Sequence, residues 1–556
     1  MLLLIFAAIA AEPTPVLALA DAEIDRVLEA LADAEEAPYY MAYGLVDNHN
    51  VHVAASNGAL WTSRDSTHRY ADIDVRVGDP ELDNTHKIRD ASWFSEEPRS
   101  LVELPVDGNP YATQMILWRE TDEAWQRSVR RLTKVRANES VKVEREDGSA
   151  DFSLHEPVVD IREREDIHVD IAAWEDLARD LSAVFLEVPG VIDSGVDLRA
   201  EAETFMFTDS DGALLQHSRV HYRISVWARG RAEDGMTLEV HEIADSATLE
   251  GLPDRESLMA RAEWTAKRTA DLTHAPMLEP FTGPAILKGK ASGVFFHEVF
   301  GHRMEGHRQK DEDEGQTFTD MVGEVILPDF LSVADDPTQA ALGTVDLNGH
   351  YPYDDEGVPG QRVQLVDHGV LQTFLLSRMP IDGWATSNGH GRRQPGNDVV
   401  ARQGNLMVEA HETVSEERLR ELLIAEIKSQ GVEFGLIVED ITGGFTLTGR
   451  VIPNSFNVRP VSVWKVYPDG RQDELVRGGD LIGTPLTVFN NILAASDQIE
   501  VFNGVCGAES GWVPVSASAP SLLLKEIEVQ RKEKGNDRPP LLDAPGKTVA
   551  KEETSA

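Results

Sequence analysis

Around Pro276, Pro280 and Pro284 the hydrophobic rhythm of the chain changes, and that break constrains the fold more than any other feature of the sequence. Before it, helical and strand periods are mixed. Ile24, Val27, Leu28 and Leu31 recur at helical spacing, as do Trp118, Trp125, Val129 and Leu132 within Thr113 to Val135. Trp174, Leu177, Leu181 and Val184 predict another helix, and a further one runs from about Asp254 to Leu272. Strands are expected at Tyr39 to Val46, Val51 to Ala55 and Ala71 to Val77. A hairpin is expected from Glu201 to Trp227, with its turn at Asp209-Ser210-Asp211-Gly212. After the break come short strands between Gly-rich turns: Gln361 to Val366, Gly435 to Glu439, Val461 to Val466 and Leu522 to Val529. The main helix there spans about Ser415 to Gln430.

This reads as an α+β protein, with a mixed α/β N-terminal domain over residues 21–275 and a β-rich, metal-binding C-terminal domain over residues 276–531. A chain of 556 residues exceeds what one ordinary core accommodates, so two domains are the expected solution. Residues 532–556, rich in Lys, Glu, Pro and Gly, are expected to be a disordered tail. Residues 1–20 are a candidate signal peptide. Leu2 to Ala11 is an unbroken apolar run, and small-residue cleavage patterns occur at Ala8-Ile9-Ala10 and Ala18-Leu19-Ala20. No Lys or Arg precedes Arg26, so the basic flank of such a signal is missing, and the reading leans to export over a cytoplasmic place.

Charge bears on partners. With 52 basic and 96 acidic residues the net charge is -44, which repels phosphate backbones and argues against nucleic acid as a partner. No stretch of 18 apolar residues is present, so no helical membrane span is expected. The single cysteine, Cys506, cannot form an intrachain disulfide and is left as a buried inert residue, a ligand or a nucleophile.

The chemistry concentrates in Phe296-His297-Glu298-Val299-Phe300-Gly301-His302. Two histidines flanking a glutamate are the elements of a zinc hydrolase site, in which imidazoles hold the ion and the carboxylate acts as base. Histidines four apart stand about 40° from each other on a helix; five apart they diverge by about 140°. Both reach one ion only if the helix carries a π-type bulge or ends there, and Gly301 is the residue that tolerates either. A catalytic zinc needs a third protein ligand. On chemistry alone it is His307, Glu305, an acid from Asp311 to Glu314, or Cys506.

Five ordered motifs extend the reading. They are His297-Glu298-x-x-Gly301-His302-x-x-Glu305-Gly306; Asp354-Asp355-Glu356-Gly357-x-Pro359-Gly360-Gln361; Gly389-His390-Gly391-Arg392-Arg393-Gln394; Leu481-Ile482-Gly483; and Val505-Cys506-Gly507 leading to Val513-Pro514-Val515. In these stretches the C-terminal half resembles the TldD/PmbA metallopeptidase family, in its metal-bearing TldD-like branch. The resemblance implies His297, His302 and Cys506 as metal ligands, Glu298 as catalytic base, one zinc ion per chain, and a homodimer or a heterodimer with a related subunit that encloses the active sites. It implies a peptidase acting on unfolded or short peptides. The family often has Asn where His390 stands, and Val400 to Leu406 departs from its pattern, which bears on substrate preference. His390 and His307 are further candidates for contact with substrate or transition state, beside the plainer readings of a turn histidine and a supporting or surface residue. Competing functions are a zinc amidohydrolase acting on a non-peptide amide and a non-catalytic metal- or peptide-binding assembly partner. An intact Glu298 argues against the last, because metal storage needs no base.

Overall fold

The computed structural model describes residues 11–88, 101–139, 147–311, 313–314, 316–446 and 456–532. The apolar start before Ala11, Glu312 of the acidic run, and the tail beyond Lys532 lie outside the described residues. The protein is α+β, and two large sheets organise it.

The first half contains α1 (Pro15–Leu31), β1 (Pro38–Ser56), β2 (Ala59–Asp79), α2 (Pro110–Glu139), α3 (Ile171–Ala183), β3 (Val191–Asp209), β4 (Leu214–Arg231), β5 (Thr237–Ser246) and α4 (Arg255–His274). The long strands pair antiparallel in the order β2-β1-β3-β4-β5. Strand alternation sends Tyr43, Leu45, Val51 and Val53 of β1 to the same face as Val196, Leu198 and Ala200 of β3. All four helices cover that face: α3 and α4 bury Trp174, Ala178, Leu181, Ala262 and Ala266 there, while α1 and α2 bury Val16, Leu17, Ala20 and Leu117. Burying a large aliphatic side chain is worth about 1.5–3 kcal/mol, so the apolar stripes anchor each helix to the sheet. Asp254 caps α4 by accepting from Ser257 N at 2.9 Å.

Two local expectations change. Helix α1 starts at Pro15, well before Ile24, so Ala18-Leu19-Ala20 lies inside a packed helix. The strands expected at Tyr39 to Val46 and Val51 to Ala55 are one strand. The polar run between them stays in register because its side chains find cross-strand partners. Asp47 accepts from Arg69 Nη2 at 2.8 Å, and Asn48 donates to Glu201 at 2.6 Å.

The second half begins with β6 (Phe281–Leu287) and α5 (Gly289–Val299), followed by β7 (Leu331–Asp335), β8 (Val363–Asp367), β9 (Asn405–Ala410), α6 (Glu416–Gln430), β10 (Gly435–Thr446), β11 (Phe456–Val466), β12 (Gly479–Gly483), β13 (Ile492–Ala508) and β14 (Gly511–Arg531). The sheet runs β8-β7-β9-β14-β12-β11-β10-β6. Because β6 also pairs with β14, the last five strands close on themselves. Strand β13 forms a hairpin with β14 in which Cys506 stands opposite Val513. Helix α5 packs on β14, β10 and β13 and is buried on nearly every side, which its apolar run Val294-Phe295-Phe296 permits. Gly293 is required there, since a Cβ would stand 2.8 Å from the carbonyl oxygen of Ala517 on β14.

Candidate metal centre

Helix α5 ends at Val299, and the chain turns at Phe300 into a 3-10 turn, Gly301–Met304. The five-residue spacing is therefore met by ending the helix. His297 lies in its last turn and His302 in the tighter turn that follows, so the two rings come to 5.1 Å between centroids. Gly301 has a different reason from the one expected. Its φ is not in the left-handed region, but a Cβ would stand 1.8 Å from Gln403 Oε1. The glycine makes room for the Gln403 amide, which donates from Nε2 to the His297 carbonyl at 3.3 Å.

Cys506 reaches the same place from β13. One donor atom each from His297, His302 and Cys506 lies within 4.8 Å of the others, and all three residues are buried. Cys506 Sγ stands 3.4 Å from His302 Nε2. On the far side of that ring, Nδ1 lies 3.2 Å from Glu305 Oε2, which turns Nε2 toward the sulfur. Burial alone would raise the Cys506 thiol, but the neighbouring His302 and His297 outweigh it and hold the thiol well below its ordinary value. Burial likewise opposes charge on His302, yet Cys506 and Glu305 hold its pKa well above the usual range.

The donor set fits a tetrahedral ion. Metal–sulfur and metal–nitrogen bonds of about 2.3 and 2.0–2.1 Å separate a sulfur and a nitrogen donor by roughly 3.5 Å, close to the 3.4 Å between Cys506 Sγ and His302 Nε2. His297 Nδ1 is in addition buried with no hydrogen-bond partner among the described residues, and such orphans are rare in a finished interior. Glu298 differs: it is half-buried, and its side chain makes no hydrogen bond or ion pair with another described residue.

Around the cluster stands a cage of ion pairs that sequence reasoning did not find. Arg402 is fully buried. It donates to the Cys506 carbonyl at 2.9 Å and to Ser510 Oγ at 2.8 Å, and its Nε lies 3.4 Å from Glu305. Arg308 donates to Glu305 at 2.9 Å and to Glu509 at 2.9 Å. Glu305, weighed as a third ligand, is instead the acceptor that orients His302. Burial would raise its carboxyl, but His302, Arg308 and Arg402 hold it well below the carboxylate range. His307 is not at the cluster; it hydrogen-bonds Glu509. His390, expected as a contact for substrate, is fully buried with both ring nitrogens engaged, Nε2 3.2 Å from Asp335 and Nδ1 3.0 Å from the Asn388 carbonyl. It braces β7 against its loop, because a buried imidazole must satisfy both nitrogens.

A cleft of 660 Å³ opens between the helix-free face of the first sheet and the second half. It does not contain the three donor side chains; its lining includes Val505, Val513 and Pro514, the residues beside and across from Cys506.

Residues 281–531 match the family model described as the PmbA/TldA metallopeptidase C-terminal domain. A metalloprotease TldD homolog of Haemophilus influenzae is 31% identical over 255 residues, 44% of this chain and 48% of that one. A metalloprotease of Methanocaldococcus jannaschii is 28% identical over 232 residues, covering 41% and 47%. A zinc metalloprotease TldD homolog of Saccharolobus solfataricus is 24% identical, covering 44% and 51%. The chain thus spans about half the length of these relatives. Among solved structures, TldE from Thermococcus kodakarensis aligns with a TM-score of 0.59 at 13% identity, covering 91% of this chain and 99% of that one. A Thermotoga maritima protein named for modulation of a DNA gyrase aligns with a TM-score of 0.59 at 17% identity, covering 91% and 98%. These two likenesses establish the fold along the chain.

Proposed function

We propose, for a chain that over residues 281–531 belongs to the TldD/PmbA family, that it is a zinc-dependent metallopeptidase cleaving unfolded or short peptides. The observation that carries this reading is the convergence of His297, His302 and Cys506 in one buried cluster. Two neutral imidazoles and a thiolate leave a fourth position open, which distinguishes a catalytic zinc from a structural one. Bound there, zinc supplies Lewis acidity, polarising a scissile carbonyl and making water more acidic.

The chain's own residues do the rest. Glu298 adjoins His297, and its carboxylate makes no hydrogen bond or ion pair among the described residues, so it can accept a proton from attacking water and return it to the leaving amine. Glu305 holds the His302 ring in one orientation, and Arg402 fixes the backbone at Cys506. A 660 Å³ cleft beside the cluster lies within the range that encloses a ligand and would admit an extended segment but no folded domain. The family resemblance supports assembly as a dimer with a second copy or a related subunit.

Peptide turnover and bound zinc measured on one preparation test the proposal, with Glu298→Gln as the control. Turnover by the native chain that disappears in the variant supports it. Absence of peptide cleavage by metal-loaded protein, alone and with a related subunit, overturns it. Turnover of a non-peptide amide alone would replace it with an amidohydrolase.

A further inference from the structure

Helices cover one face of the first sheet, and the opposite face is a wall of the cleft. Alternation puts Asn48 of β1, Glu201, Glu203 and Phe205 of β3, and His217 and Arg219 of β4 on that wall. Asn48 donates to Glu201 at 2.6 Å and to Glu203 at 3.5 Å. Glu203 shares one cation, Arg219, at 3.3 Å. Glu201 has no ion-pair partner among the described residues. Two carboxylates two residues apart on one strand thus face a cleft with a single counter-ion between them. Burial first, and then the charge of Glu201, push the Glu203 carboxyl up to about 7 against the opposing effect of Arg219.

A second feature of the wall calls for a ligand. His217 stands opposite Phe205, two residues along the ladder from the Glu203–Arg219 pair and on the same face. It is only 9% exposed, its ring stacks on Phe205 and packs against Tyr353, and the ring makes no hydrogen bond to any described residue. Burial holds its imidazole down to about 4, so it presents a neutral ring with its polar atoms unclaimed.

This wall is tied to the metal cluster. Arg219 donates to Asn348 Oδ1 as well as to Glu203, and Asn348 Nδ2 donates to the Gly504 carbonyl at 3.0 Å. Gly504 is two residues from Cys506 on β13, about 7 Å along an extended strand. A peptide lying in the cleft with its scissile bond at the cluster therefore passes the carboxylate pair within a few residues.

Resting on the peptidase reading above, we propose that Glu201 and Glu203, with Asn48 and His217, form a specificity subsite for a positively charged group of the substrate. The shared chemistry is an ammonium or guanidinium group, from a Lys or Arg side chain or from a free amino terminus. Such a group would complete the charge balance of the pair, and charge-assisted hydrogen bonds to carboxylates are the stronger kind.

The test uses short peptides blocked at both ends, with one lysine moved along the sequence, and twins in which norleucine replaces it. A third set carries norleucine and a free amino terminus, which separates the side chain from the terminus as the source. The expected result is that lysine at one or two positions, or the free terminus, raises kcat/KM on the order of 10-fold over the neutral twin. That ratio falls toward one in Glu201→Gln and in the Glu201→Gln/Glu203→Gln double variant. Glu201→Gln leaves the Glu203–Arg219 pair intact, so it keeps the test decisive if the double variant does not fold. A ratio near one at every position in the native chain, or a preference that both variants retain, overturns the subsite. Should the native chain cleave none of these peptides, calorimetric binding to the metal-loaded protein still decides. Tighter binding of the cationic twin that Glu201→Gln removes supports the subsite while the peptidase reading fails. Equal binding of the twins overturns the subsite as well.

Discussion

His297, His302 and Cys506 on one side, and Glu305, His307 and Glu509 on the other, are both triads of donor atoms within 4.8 Å, and Glu305 touches both. Charge separates them. Arg308 donates to Glu305 and to Glu509, and Arg402 stands 3.4 Å from Glu305, so the two carboxylates of the second triad are already balanced by two of the protein's own cations. The first contains no arginine or lysine; the thiol and the two rings face one another. A group of donors is a site for an ion only where the fold has left the charge balance open, and beside it the same residue types become a brace. The Glu201–Glu203 wall is intermediate, half-compensated by Arg219.

The largest effect that would break this comparison is loss of the thiolate. Cys506→Ala should lose most of the bound zinc and, with it, peptide cleavage, because two imidazoles do not complete the ligand set. Metal analysis after dialysis reads this directly, and full zinc retention would mean that Cys506 is not a ligand.

Next comes Glu298→Gln, which keeps size and polarity but removes the proton acceptor. Turnover should fall on the order of 10²-fold or more while zinc content and folding stay unchanged. A parallel loss of zinc would make Glu298 a ligand or a support.

Glu305→Gln sharpens the boundary between the two triads. It weakens the acceptor that orients His302 and leaves two buried arginines less well balanced, so zinc affinity should drop by about 10–100-fold without being abolished. A competition titration with a chelator measures it. An unchanged affinity would detach the second triad from the first.

The smallest effect is expected at His307→Gln. The His307–Glu509 contact is partly open to solvent, and Arg308 still holds Glu509, so thermal stability should change by no more than about 1 kcal/mol with zinc affinity preserved. A loss of zinc comparable to that in Cys506→Ala would make the second triad a true metal site.

Local pattern made much of this molecule legible. The helical run from Thr113 to Val135 does lie within α2, but its buried face is Thr113, Leu117, Thr121, Ala124, Ser128, Leu132 and Val135, so of the expected stripe only Leu132 is buried and Trp118 is exposed. Trp174 and Leu181 are buried on α3, and Ser415 caps α6 by accepting from Arg418 N at 3.3 Å. The polar run Asp47 to Asn50 fell between two expected strands because its partners, Arg69 and Glu201, lie on other strands. The reason for Gly301 was misread in the same way, since Gln403 is about a hundred residues away.

By itself the sequence determined the elements with their own period, the break near Pro276, and the adjacency of His297 and Glu298. It also set the condition that a five-residue spacing can serve one ion only at a helix end or a bulge. These are matters of local geometry, decided within a few turns of chain. That Cys506 comes to stand 3.4 Å from His302, 204 residues away, was implied beforehand only by family resemblance; in the molecule it follows from the register of β13 on β14. Tertiary structure alone decided that Arg402 and Arg308 balance Glu305, that His390 braces the interior, and that Glu201 and Glu203 face a cleft. Strand register and the closing of charge between distant segments depend on which surfaces pack together, and no local pattern encodes that.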